Sequence, residues 1–197
     1  MSSHHIVKEK QEPALYIDEL GNFNEELLGQ LLEWSPTLLV NGENYDKIIS
    51  LGLKVDVLVN GKETGTQEDT KFVHGLVDDL MVAMNYLYEE KFPAVNVITS
   101  KFDLEKFAGF EDKINLVVFT EKAKHYAIKS GFSVWKPAGS EFLIHGNRYF
   151  EVNNLMQNEE GIFEVVNDGF VEFTFSGQPI FISEPIWLPL EKPKKKI

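Results

Sequence analysis

The chain has 197 residues, 43% of them hydrophobic and 12% aromatic, enough for a sizeable core in one or two domains. Its 31 acidic and 19 basic residues give a formal charge of -12, which argues against the sequence-independent attachment to phosphate backbones by which nucleic acids are held. Without cysteine there is no disulfide framework, thiolate metal site or cysteine nucleophile, and no apolar run is long enough for a membrane span, so a soluble, cytoplasmic chain is expected.

After a polar start in which His4 and His5 read as a solvated pair, Ala14 to Ile17 predicts a short apolar strand. Asn24 then caps a helix over Glu25 to Trp34, with Leu27, Leu28, Leu31 and Leu32 on one face, and Pro36 stops it. A strand over Thr37 to Val40 ends in Asn41-Gly42, and a strand over Val55 to Val59 ends in Asn60-Gly61. Such pairs are strong hairpin signals, but Tyr45, Ile48, Ile49 and Leu51 between them fit a short helix face, with Gly52 at its C-cap. The unit therefore reads strand, helix, strand, and both Asn-Gly pairs fall at the carboxyl ends of parallel strands, where open α/β sheets bind ligands. A strand over Lys71 to His74, a helix from Asp78 to Glu90 burying Leu80, Ala83, Met84 and Leu87, and a strand over Val95 to Thr99 complete a doubly wound, mostly parallel α/β domain.

From Ile114 onward short apolar runs alternate with turn signals, among them Gly131, Pro137-Ala138-Gly139, Asn167-Asp168-Gly169 and Ser176-Gly177, with no helical period between them. This predicts a C-terminal antiparallel β module, a compact sandwich or barrel. The organisation expected is an α/β domain over residues 1–112, a β module over 113–190 and a basic tail over 191–197, where Lys194, Lys195 and Lys196 follow Pro193.

That order of parts resembles the thiamine pyrophosphokinase family, which has an N-terminal α/β catalytic domain and a C-terminal β-sandwich. The family pattern is D-G-G, then P-D-x-x-x-G-D-x-D-S, then T-D opening a helix, then G-G-R-x-D-H. Here Asn41-Gly42-Glu43 stands at the first motif, Val55 to Thr64 at the second, Asp78-Asp79 at the third and Ser100-Lys101-Phe102-Asp103-Leu104 at the fourth. Asn41 and Gly61 replace aspartates, Glu63-Thr64 replaces Asp-Ser, Lys101 replaces arginine and Leu104 replaces histidine. In the β module, Gly131 to Pro137, Gly146-Asn147-Arg148-Tyr149 and Val166-Asn167 followed by Gly177 are similar to family segments.

The resemblance implies a homodimer that transfers pyrophosphate from ATP to thiamine with Mg²⁺. It assigns metal ligation and catalysis to Glu63, Asp79 and Asp103, nucleotide contacts to Asn41, Gly42, Asn60, Gly61 and Lys101, and thiamine contacts to Ser133, Trp135, Tyr149 and Asn167. Asp78 and Glu43 are possible substitutes as ligands. Mg²⁺ needs hard oxygen ligands, so an amide at Asn41 brings an acceptor without charge, and Lys101 offers a point charge in place of an arginine fork. Each residue also has a plainer reading: Asp78 and Asp79 favour a helix N-terminus, Asn-Gly pairs tolerate positive φ, and Trp135 and Tyr149 suit a β core. His74, His125 and His145 lack metal-ligand spacing. Two functions stay open, a divergent enzyme using Mg-ATP and a binding or scaffold protein that keeps the fold without the transfer chemistry.

Overall fold

The structure is a computed structural model, which describes residues 12–146 and 149–186. His4, His5, Asn147, Arg148 and the basic tail lie outside the described residues. The chain divides into two compact units, 1–120 and 121–197.

In the first unit the strands are β1 (Ala14–Ile17), β2 (Leu38–Asn41), β3 (Val57–Val59), β4 (Lys71–Val73), β5 (Ala94–Ile98) and β6 (Asn115–Phe119). They form the order β6-β5-β1-β2-β3-β4, every neighbouring pair parallel. Helices α1 (Glu25–Leu32), α2 (Tyr45–Ser50), α3 (Asp79–Glu89) and α4 (Leu104–Phe107) lie in four of the five connections, and β3 joins β4 through a loop. Leu15, Ile17, Leu38, Val40 and Leu58 pack with Leu28 of α1 and Ile48 of α2 on one face, while the alternating Tyr16, Leu39, Val57 and Val59 are equally buried on the other. Burial on both faces explains why β1, β2 and β3 read as continuous apolar runs. The chain steps outward from β1 to β4 and returns to place β5 on the other side of β1. This reversal puts the topological switch point between β1 and β5.

Local chemistry sets the helix ends. Asn24 Oδ1 accepts the Leu27 N–H at 2.9 Å, and Asp78 Oδ1 accepts the Leu80 N–H at 3.0 Å, so each side chain satisfies a donor that its helix leaves unpaired. All four residues expected on the buried face of α3 are buried, with Val82 beside them.

The second unit holds β7 (Ala123–Ile128), β8 (Phe132–Lys136), β9 (Glu141–His145), β10 (Phe150–Val152), β11 (Leu155–Gln157), β12 (Phe163–Val165), β13 (Gly169–Phe175) and β14 (Ile180–Pro185). Strands β11-β12-β9-β14-β7 form one antiparallel array and β10-β13-β8 a second. Ile128, Phe142, Ile180 and Ile182 of the first array meet Val171 and Phe173 of the second in one core, giving a β-sandwich. No helix interrupts it among the described residues.

One strand changes sides. Asn115–Phe119, read from its turn spacing as part of the β module, pairs in parallel with β5, and the units divide after Thr120 rather than near residue 112. Its burial alternates along its length, as an antiparallel strand's would, so periodicity alone does not reveal the partner.

Candidate functional site

The parallel sheet carries the ends of all six strands to one edge, and there the two Asn-Gly turns meet. The Gly42 N–H donates to the Val59 carbonyl at 3.0 Å, and a Cβ at Gly42 would lie 2.9 Å from the Gly61 Cα, so these turns are in backbone contact and glycine is required. Asn60 occupies the left-handed region at φ 51°, which asparagine tolerates better than most residues.

Two adjoining cavities open at this edge and share Glu43 and Asp79. The larger, about 430 Å³, is lined among others by Gly42, Tyr45, Asp46, Asn60, Gly61 and Lys62. The second, about 380 Å³, is lined by Asp18, Glu19, Asn41, Asn44 and Asp78 together with the shared pair. Among these lining residues Lys62 is the sole lysine or arginine.

Amides bind the cleft together. Asn41 is buried, its Nδ2 donates to the Asp18 carbonyl at 2.8 Å, and its Oδ1 accepts from the Asn44 N–H at 3.1 Å and from Asn44 Nδ2 at 2.7 Å. Asn44 Nδ2 also donates to the Asp18 carbonyl, at 2.8 Å. Asn60 Nδ2 donates to Asp79 Oδ1 at 2.7 Å, while its Oδ1 accepts the Gly75 N–H at 2.8 Å.

Asp18 stands at the switch point. Thr99 donates to its Oδ2 at 3.0 Å and Tyr16 to its Oδ1 at 3.3 Å. Burial, with a contribution from the Asp78 charge, raises its carboxyl above the usual range, against the lowering effect of Thr99, Tyr16 and Lys106. Lys106 of α4 donates to Asp78 Oδ2 at 3.0 Å, and that bond holds the ammonium in its charged form. Ser100 donates to Glu19 across the same edge.

The residues expected from the sequence fall into different places. Asn41, Gly42, Asn60, Gly61 and Asp79 are brought together in the cleft. Glu63 is exposed, with its carboxylate 3.7 Å from His74 Nε2, and is not among the residues lining either cavity. Asp103 caps α4, accepting the Glu105 N–H at 3.1 Å, and Lys101 is exposed in the turn after β5. Among the described residues no three Asp, Glu or His side chains form a group that could hold a metal ion. Glu63, Asp79 and Asp103 are not brought together as such a group and so do not fit the magnesium site that the resemblance implies.

In the second unit Ser133 and Trp135 are exposed on β8, and Tyr149, just before β10, donates its hydroxyl to Glu151 at 3.0 Å. Asn167 lies in the turn between β12 and β13, where its backbone exchanges two hydrogen bonds with the Asn154 side chain.

Sequence reasoning missed Asp18, Glu19, Asn44 and Lys106. Asp18 and Glu19 directly follow a strand of the parallel sheet, so the rule that put Asn41 and Asn60 at the ligand edge places them there too.

No family model matches the sequence, and no curated protein is similar to it by sequence. Solved structures are similar. A thiamine pyrophosphokinase from Bacillus subtilis superposes with a TM-score of 0.62 at 10% identity, over 89% of this chain and 99% of that one. The chain has the thiamine pyrophosphokinase fold. The yeast thiamin pyrophosphokinase superposes with a TM-score of 0.61 at 10% identity, over 93% and 88% of the two chains. A probable thiamine pyrophosphokinase from Staphylococcus saprophyticus gives 0.60 at 12% identity, over 88% and 98%.

Proposed function

We propose that this chain is a small-molecule binding protein built on the thiamine pyrophosphokinase fold, with thiamine as its ligand and without the pyrophosphoryl transfer. One observation carries this reading: Asn41, at the first acidic motif, is buried and engages both ends of its amide within the protein. An aspartate there could not donate to the Asp18 carbonyl, so the amide has a structural job that a metal-binding carboxylate would abandon. The charge of the cleft supports the same reading. Glu43, Asp46 and Asp79 face the larger cavity with Lys62 alone against them, which suits a cationic ligand such as thiamine better than a triphosphate.

Transfer of pyrophosphate from Mg-ATP to thiamine is the second reading, supported by Asp18, Asp78 and Asp79 on one cavity.

A homodimer is part of the same proposal. Phe132 packs in the sandwich core, and Phe150 packs edge to face on Phe163 at 5.7 Å. Leu143, Met156 and Val166, with Trp135, Tyr149 and Phe170, are each more than 40% exposed and offer apolar surface for such an interface. Sedimentation tests it, and a monomer at micromolar concentration removes the claim.

Thermal denaturation with thiamine, with ATP and with Mg-ATP tests the function, because a ligand that binds only the folded state raises its midpoint. The expected result is a rise with thiamine in the absence of magnesium and none with ATP. A rise that needs Mg-ATP favours the second reading.

A further inference from the structure

The chain closes the crevice at its own switch point. Asp18 and Glu19 follow β1 there, and Thr99 and Ser100 follow β5. The N–H groups of Asp18 and Glu19 both donate to the Ile98 carbonyl, at 2.9 and 3.2 Å, and the Thr99 N–H donates to the Phe119 carbonyl at 3.0 Å. The side chains repeat this pairing across the strand ends. The Thr99 hydroxyl donates to Asp18 Oδ2 at 3.0 Å, and the Ser100 hydroxyl donates to Glu19. A hydroxyl has a single proton to give, so both of these donors are spent on carboxylates of the chain.

An open α/β sheet binds its ligand at this place, and an anionic group there needs donors turned toward it. Asp18 and Glu19 take the hydroxyls that a phosphate oxygen would take, and both line the second cavity beside Glu43, Asp78 and Asp79. Lys106, bound at the same edge, is committed to Asp78. An incoming phosphate therefore meets fixed negative charge and has to displace two charge-assisted hydrogen bonds, whereas a cation has to do neither.

On the reading that the cleft takes an organic cation, we propose that Asp18 and Glu19 are its specificity-determining residues: they stand in for an anion at the crevice between β1 and β5 and so exclude phosphate-bearing ligands. A purely structural tie between the strand ends needs only an acceptor for each hydroxyl. Exclusion needs the charge.

The double variant Asp18→Asn with Glu19→Gln separates the two, since it keeps an oxygen for each hydroxyl and removes both charges. A neutral amide oxygen also holds a hydroxyl less strongly than a carboxylate does, so a phosphate oxygen can displace it. Titration calorimetry with inorganic pyrophosphate, without magnesium, should show no binding to the wild type and binding to the double variant, the affinity rising about tenfold for each carboxylate neutralised. Glu19 is exposed, so Glu19→Gln alone should keep the wild-type circular dichroism and give the first of those two steps even if Asp18→Asn disturbs the fold. Adding Thr99→Val and Ser100→Ala should abolish the gain. Glu33→Gln with Glu89→Gln, exposed positions at the far ends of α1 and α3, changes the net charge equally and should give none. Pyrophosphate binding to the wild type as tight as to the variants, no binding to folded variants, a gain that survives loss of the hydroxyls, or an equal gain from the Glu33 and Glu89 replacements would each overturn the proposal. Thiamine titrated into the wild type tests the cation reading separately, so the two can fail independently.

Discussion

At the scale of single residues, function turns on whether a side chain is used by the protein or offered to a ligand. Asn41 is the clearest case. Replacing it by aspartate sets a carboxylate against the Asp18 carbonyl and strips that oxygen of a donor, so Asn41→Asp should lower stability by about 1–3 kcal/mol in urea denaturation at neutral pH. If the variant is as stable as wild type, the amide has no structural role and the argument for lost chemistry weakens. None of this was legible in the sequence, because Asp18 lies 23 residues from Asn41 and Asp79 19 residues from Asn60, and an amide at a motif position reads only as an eroded acid.

Histidine supplies a second test at this scale. His125 and His145 flank Ser183, and burial, with the neighbouring His145 charge, pushes His125 down to about 4. Burial lowers His145 in the same direction. A histidine whose folded pKa lies below its unfolded value of about 6.5 takes up a proton on unfolding, so its contribution is full above that value and is lost as pH falls toward 4. The midpoint should drop between these pH values, and His125→Gln should flatten the drop. An unchanged slope in that variant would assign the acid sensitivity to other groups.

At the scale of elements, the apolar periodicity of α1 and α3 and the Asn24 cap were readable because the information is local: a polar acceptor, then leucines recurring at three and four residues. Helix α4 was not, since four residues give too little period to see. Strand β6 reads as part of the β module because its partner is chosen by the sheet and not by its own residues. The Asp78 cap yields a prediction here. Asp78→Ala removes both the Leu80 N–H acceptor and the Lys106 partner and should cost about 1–2 kcal/mol, whereas Lys106→Ala, which breaks an ion pair about half exposed on both sides, should cost less than about 1 kcal/mol. Equal losses would mean that the pair, and not the cap, holds the start of α3.

For the whole molecule, the order of parts was legible where the chemistry was not. Alternating strands and helices followed by short strands at turn spacing specify an α/β domain and a β-sandwich whatever residues occupy the ligand edge, and at about 10% identity that architecture still matches the thiamine pyrophosphokinase structures. The edge itself carries amides, with Asn41 and Asn44 bonded to each other and to the Asp18 carbonyl and Asn60 bonded to Asp79. The central claim is that this arrangement leaves binding and removes transfer. Phosphorus NMR of the protein with ATP, magnesium and thiamine tests it most directly. The account predicts that the ATP signals stay constant and that neither AMP nor thiamine diphosphate accumulates. Their accumulation beyond one equivalent per chain, abolished by Asp79→Asn, would contradict it.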